Sequence, residues 1–259
     1  MIRNLIAALF VVSGLLAPAF MQPVNASSSS QPVKNVILVH GAWAEGADSW
    51  SKVIPLLEAK GLNVVAVHLP LTSIADDVAT VKRAIALENG PVLLVGHSYG
   101  GAVITEAGND PKVVGLVYVA AFAPDAGQSA ASLSATVAPP PLGAQVKPDA
   151  FGFLKITKTG IYDDFAQDLT SAEKATLFAA QVPTNVKSLG GKISVAAWHS
   201  KPSSYIVAGN DRAIPPTLEA TMAKTIHAAT TTITDASHVV MVSHPDEVAS
   251  VIANAAGAK

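Results

Sequence analysis

The chain has 259 residues and no cysteine; half of its residues are hydrophobic and only 14% are charged. With 17 Lys and Arg against 19 Asp and Glu, the formal charge is −2. This balance excludes a disordered chain, a nucleic-acid binder steered by a basic face, a disulfide scaffold, a cysteine nucleophile and a thiolate metal site.

The first 26 residues read as an export signal. Arg3 is the only charge, an apolar run extends from Leu5 to Leu16, and Val24-Asn25-Ala26 places small residues at the −3 and −1 positions of a cleavage site. The run is shorter than the ~20 apolar residues a membrane span needs. Cleavage after Ala26 would send the protein to the periplasm or the medium without a stable membrane anchor. Residues 27–34 form a polar tether, and 35–259 a single domain.

From Asn35 the chain alternates between two periodicities. Asn35–Val39 is a continuous apolar run, as expected of a strand buried on both faces. A helix is predicted over Ser49–Lys60, with Pro55 marking its start or a bend and Gly61 its end. Asn63–Val67 reads as a second buried strand, Ala75–Glu88 as a helix with Asp76 and Asp77 near its positive end, and Val92–Val95 as a third strand. Gly100–Gly108 is a helix of small residues that can pack close to a sheet, and Val113–Ala120 a fourth strand.

The rhythm then breaks. Residues 125–197 hold Ala/Ser-rich sequence, three consecutive prolines from Pro139, and one convincing helix over Ser171–Gln181, with Ser171 as its cap. Strand Tyr205–Ala208, helix Thr217–His227, strand Thr230–Thr234 and helix Pro245–Ala255 restore it. The expected fold is α/β: a doubly wound, mostly parallel sheet with a helical cap inserted before the penultimate strand.

The chemistry falls at strand ends. Gly96-His97-Ser98-Tyr99-Gly100 follows a buried strand and opens a helix, the context of a G-x-S-x-G nucleophile elbow. The glycines admit a turn too tight for side chains, and the turn lifts the Ser98 hydroxyl above the sheet. A serine needs a base. Among 7 histidines, His238 lies in Asp-Ala-Ser-His just past the last strand, where a loop can hang an imidazole over the sheet edge; His244 is its rival. Asp211, after strand Tyr205–Ala208, gives the order Ser, Asp, His expected of this architecture, with Asp125 as an alternative acid. Oxyanion donors are expected from the backbone of Tyr99 and of the His40–Trp43 loop, with Ala42 preferred.

Together these residues resemble the α/β-hydrolase superfamily, in its branch of plant methyl-ester esterases, hydroxynitrile lyases and bacterial relatives. The resemblance rests on VILVHGAW at 36–43, LLVGHSYGG at 93–101, VAAFAPD at 119–125, NDRAIPP at 210–216 and DASHVVMVSHPDEV at 235–248. It implies that Ser98, Asp211 and His238 form a triad and that Ala42 and Tyr99 supply the oxyanion hole. The lyases carry a lysine directly after the catalytic histidine; this chain has Val239. A carboxylesterase acting on a small, neutral, hydrophobic ester is therefore expected, with a lactone or C–C bond hydrolase as the alternative, and a lyase or a non-catalytic binding protein less favoured. The expected pocket wall is Trp43, Leu71, Phe122, Phe151, Phe153, Phe165 and Trp198. No metal cluster or phosphate-binding glycine loop is visible, so no cofactor, metal or nucleic-acid partner is expected.

Overall fold

The computed structural model describes residues 33–43 and 46–258; the segment expected to be an export signal and most of the expected tether lie outside them. The first strand, β1 (Asn35–Val39), is wholly buried. After the short helices α1 (Gly46–Trp50) and α2 (Ile54–Glu58) comes β2 (Asn63–Val67), then α3 (Ile74–Leu87), β3 (Val92–His97), α4 (Tyr99–Ala107) and β4 (Val113–Val119). The stretch expected as one helix over 49–60 is thus two. Pro55 has no N–H to give to a helix interior, so the chain breaks after Trp50 and restarts with proline in its first turn.

The insertion contributes α5 (Ala130–Ser134), β5 (Val146–Pro148), β6 (Phe153–Ile156), α6 (Ser171–Ala180), β7 (Thr184–Asn185) and α7 (Val186–Gly190). The sequence led us to expect a helical cap, but the insertion is mixed: β5, β6 and β7 form a small antiparallel sheet. The β5–β6 turn is set by Asp149, whose side chain accepts the Phe151 and Phe153 N–H groups, and by Gly152 at φ +81°. The cap of α6 is Thr170 rather than Ser171; it exchanges hydrogen bonds with Glu173 in a capping box. The chain then returns to β8 (Ser203–Ala208), α8 (Pro216–Thr225), β9 (Ala229–Ile233), α9 (Val240–Ser243) and α10 (Pro245–Ala256).

The main sheet has the order β2-β1-β3-β4-β8-β9, and every pairing is parallel. Side chains alternate between its two faces. Ile37, Val39, Leu94, Tyr118 and Val207 join one core with Val78, Val81, Met222 and other residues of α3, α4 and α8. Val36, Leu38, Val95, Val119 and Ile206 join a second core with Trp50, Leu57, Val248 and Ile252 of α1, α2 and α10. Two filled cores explain the unbroken apolar runs of β1 and β3. The outer strands differ: β2, expected to be buried, is half-exposed, and β9 faces solvent with threonines, because each has a neighbour on one side only.

The chain leaves β1 toward β2 on one side and returns as β3 on the other, so the sheet order reverses between β1 and β3. Ligands bind at such a switch point, beyond the carboxyl ends of the strands. The Gly41–Trp43 loop and the 96–100 turn both lie there. A Cβ on Gly96 would stand 2.6 Å from the Gly100 carbonyl oxygen, and one on Gly100 2.5 Å from that of Val39. Gly100→Ala is expected to lower stability by about 1–3 kcal/mol, read as a lower urea midpoint at unchanged slope. An unchanged midpoint would mean that the end of β1 yields freely.

Candidate active site

Ser98 joins β3 to α4 at φ 53°, ψ −123°. This backbone conformation costs a non-glycine residue about 1–3 kcal/mol and persists only where its surroundings enforce it. Here the Ser98 N–H donates to the Val119 carbonyl at 3.2 Å, and the Ser98 carbonyl accepts the Gly101 and Phe122 N–H groups at 3.0 Å each. The β1 loop crosses beside it so closely that a Cβ on Gly41 would lie 2.6 Å from Ser98 Cβ.

The three side chains singled out by chain order meet. Ser98 Oγ lies 2.8 Å from His238 Nε2, and His238 Nδ1 lies 2.5 Å from Asp211 Oδ2. Asp211 Oδ1 accepts the Ala213 and Ile214 N–H groups at 2.6 and 2.9 Å. All three residues are buried, Ser98 and Asp211 at 5% exposure and His238 at 1%. The other acids are elsewhere: Asp125 pairs with exposed His199 at 2.9 Å, and exposed Asp235 lies 3.4 Å from His244. His244 also shares a hydrogen bond with Ser243 at the start of α10.

Two further histidines serve the frame. The Leu69 N–H donates to His40 Nε2 at 2.9 Å, so the proton of His40 sits on Nδ1 and is given to the Gly41 carbonyl at 2.7 Å. Burial lowers the His40 pKa to about 4. His97 donates from Nε2 to the His238 carbonyl at 2.9 Å and packs its ring 4.8 Å from the His238 ring. Burial, followed by the neighbouring His238, holds its pKa well below the usual imidazole range. Both stay neutral and hold backbone.

A cavity of about 610 Å³ opens on Ser98 and His238 and is bordered by Ala42 and Tyr99. Of the expected wall residues, Trp43 and Phe122 line it and the other five do not. Leu71 is sealed in the core, held at φ 54° while its N–H donates to Asp77. Phe151 is 83% exposed at the β5–β6 turn, and Phe153 lies half-buried in β6. Phe165 packs against the His238 ring, and Trp198 hydrogen-bonds the Pro124 carbonyl. The wall is instead small and aliphatic, with Leu142, Val146, Leu189 and Ile214; among the described residues no Asp, Glu, Lys or Arg borders it. Lys155 and Arg212 are not among the lining residues.

Several contributors carry no sequence signal. Asp77, read as a helix-end charge, is buried and accepts from Leu71 N, Tyr99 Oη and Ser188 Oγ at 2.8, 2.7 and 3.1 Å. Burial raises its carboxyl above the ordinary range. The insertion also grips the loops that carry Asp211 and His238: Gln167 Nε2 donates to the Asn210 carbonyl at 2.6 Å, and Ser237 N donates to Asp168 at 2.8 Å. Leu142 N donates to the Arg212 carbonyl at 3.1 Å.

A histidine buried neutral takes up its proton only on unfolding, so in the window between its folded and unfolded pKa values the unfolded state binds more protons. For His40 this window runs from 6.5 down to about 4. Stability is expected to fall as the pH is lowered through it, by about 3–4 kcal/mol from this group. His40→Gln flattens the slope without abolishing it, since His97 acts in the same direction. Chemical denaturation from neutral to acid pH checks this; a slope unchanged in the variant would remove His40 from the account.

The alpha/beta hydrolase family model matches residues 36–251. Methylesterase 7 of Arabidopsis thaliana is 28% identical over 247 residues, covering 85% of this chain and 95% of that protein. A carbendazim hydrolyzing esterase of Nocardioides is 34% identical over 124 residues, 43% of this chain and 51% of that protein. Among solved structures, a pyrethroid hydrolase from Sphingobium faniae superposes with a TM-score of 0.76 at 25% identity, covering 87% of this chain and 98% of that one. Polyneuridine aldehyde esterase gives 0.73 at 20% identity over 86% and 98%, a likeness of fold. With its sheet order and a family model matched over nearly all of the described residues, the chain belongs to the alpha/beta hydrolase family.

Proposed function

We propose that Ser98 is the nucleophile of this ester-cleaving hydrolase, and that the enzyme is a carboxylesterase acting on small, neutral, hydrophobic esters. The observation that carries the reading is the unbroken hydrogen-bond chain from Asp211 through His238 to Ser98, opening on an apolar cavity. Ser98 Oγ attacks the ester carbonyl while His238 Nε2 takes its proton. Asp211 holds the imidazole in the required tautomer and stabilises its cation. The backbone N–H groups of Ala42 and Tyr99 are the donors assigned to the oxyanion; Tyr99 opens α4, where N–H groups lack a helical partner. His238 then gives its proton to the leaving alcohol. Water, deprotonated by the same imidazole, attacks the acyl-serine and frees the acid.

The substrate class follows from the wall. With no Asp, Glu, Lys or Arg among the described residues that line the cavity, a charged acyl or alcohol group loses hydration there without compensation. Relatives named methylesterase and carbendazim hydrolyzing esterase support the ester reading. Val239 stands buried where the lyases carry lysine, which leaves no cation after His238 for a departing cyanide. The first 26 residues are proposed as a cleaved export signal, which a mature N-terminus at Ser27 in the exported protein would support and a retained Met1 would refute. Among the described residues no helix is long and apolar enough to cross a membrane.

A fluorophosphonate probe is expected to label Ser98, and p-nitrophenyl esters to be turned over. Ser98→Ala should lose the label and about 10⁵–10⁶-fold in kcat. Unaltered turnover in that variant would overturn the nucleophile. Turnover of lactones alone would move the assignment to the alternative hydrolase, and a protein that neither labels nor turns over would be a binding protein. A diester should be cleaved at least about 100-fold faster, in kcat/KM, than its monoacid with the same acyl group. Equal rates would mean that a cation reaches the substrate.

A further inference from the structure

Glu219 takes no part in the steps above and has no solvent exposure. It lies in the first turn of α8, and its side chain turns back onto the end of β8, where Oε2 accepts the Ala208 N–H at 3.0 Å. The Asp211 N–H donates to the carbonyl of the same Ala208 at 3.2 Å, so both acids converge on one residue, and the Asp211 carboxyl acts on that of Glu219. The second oxygen of Glu219, Oε1, meets no donor among the described residues. A carboxylate has only acceptors to offer, so two ionised carboxylates in contact repel with no bond between them; a bond requires a proton on one.

The surroundings decide which one. Asp211 receives three donors: Ala213 N and Ile214 N on Oδ1, and His238 Nδ1 on Oδ2. Glu219 receives one backbone N–H. The other titratable groups facing this spot are Tyr205 on β8 and, stacked on it, Tyr118 on β4. The Tyr205 hydroxyl donates to the Ala121 carbonyl, and that of Tyr118 bonds Thr105 at 2.9 Å, so neither serves Glu219. Burial first, then the Asp211 charge, drives the Glu219 carboxyl well above its ordinary range.

We propose that Glu219 is a positioning residue: a neutral carboxylic acid that donates a hydrogen bond to the Asp211 carboxylate and so fixes that carboxylate against His238. The inference rests on the reading of Ser98, His238 and Asp211 as a triad. It keeps the charge behind the imidazole at one, where an ionised Glu219 would make it two and raise the basicity of His238. It also fills the remaining side of Asp211 with a donor, which water or an apolar residue would not do with the same geometry.

The test uses the full enzyme with Glu219→Gln, which keeps a donor and stays neutral, and Glu219→Leu, which removes the donor. Infrared spectra of the wild type at neutral pH are expected to contain the C=O band of a buried protonated carboxyl, absent from E219Q. The acidic limb of kcat/KM, or of the fluorophosphonate labelling rate, should keep its midpoint within about half a pH unit in E219Q. E219L should lose about 10–100-fold in kcat with KM little changed, and E219Q should retain most of that activity. No protonated band, or an acidic limb that falls further than this in E219Q, means that Glu219 is ionised and overturns the proposal. So does full activity in E219L. If E219L fails to fold, the band and the E219Q limb decide. Should no ester turn over and no serine label, the triad reading fails, while the infrared band still reports on Glu219.

Discussion

Everything at this site hangs on one backbone turn. Ser98 is held at φ 53° between the end of β3 and the start of α4, and its strain is carried by three hydrogen bonds to Val119, Gly101 and Phe122. Those partners exist because β4 runs parallel to β3 in register to its end, His97 opposite Val119. The turn also needs empty space: a Cβ on Gly96, Gly100 or Gly41 would meet neighbouring atoms at 2.5–2.6 Å. The same crowding that forbids side chains brings the β1 loop alongside the serine, so the loop assigned to the oxyanion and the hydroxyl share one steric solution.

Around that turn the protein buries many ionisable groups and leaves few of them charged. His40 and His97 are neutral struts, each tied to a backbone carbonyl, of Gly41 and of His238. Asp211 is surrounded by donors. Imidazoles that stay neutral hold backbone in the buried site without adding the desolvation of further charges.

The insertion does more than roof the cavity. Gln167 and Asp168 hold the residues next to Asp211 and His238, while Trp43 donates from its ring to the Leu154 carbonyl and from its N–H to Thr184. Asn185 N donates to the Leu71 carbonyl at 2.8 Å. The loops that carry Trp43, Asp211 and His238 are thus each hydrogen-bonded to the segment that forms much of the cavity wall.

The sequence by itself determined the sheet and singled out Ser98, Asp211 and His238, three side chains that the structure brings into hydrogen-bonding distance. Long apolar runs such as Val36–Val39 arise only where both faces of a strand are buried, and a G-x-S-x-G turn between such a run and a helix has one geometry. Chain order then singled out Asp211 and His238. It left Asp125 open, and only the tertiary structure, by turning that carboxyl out to His199, removed it. The cavity wall was not legible either. Aromatic residues drew attention, yet Phe151 faces solvent, Phe165 backs the imidazole, and Leu142, Val146 and Leu189 do the lining. Nothing in an amphipathic helix marks Glu219 or Asp77 as buried acids with partners far away in sequence. Local periodicity fixes which residues face a core, because it acts through neighbours in the chain; which polar groups meet inside that core is decided by long-range packing, and no local pattern encodes it.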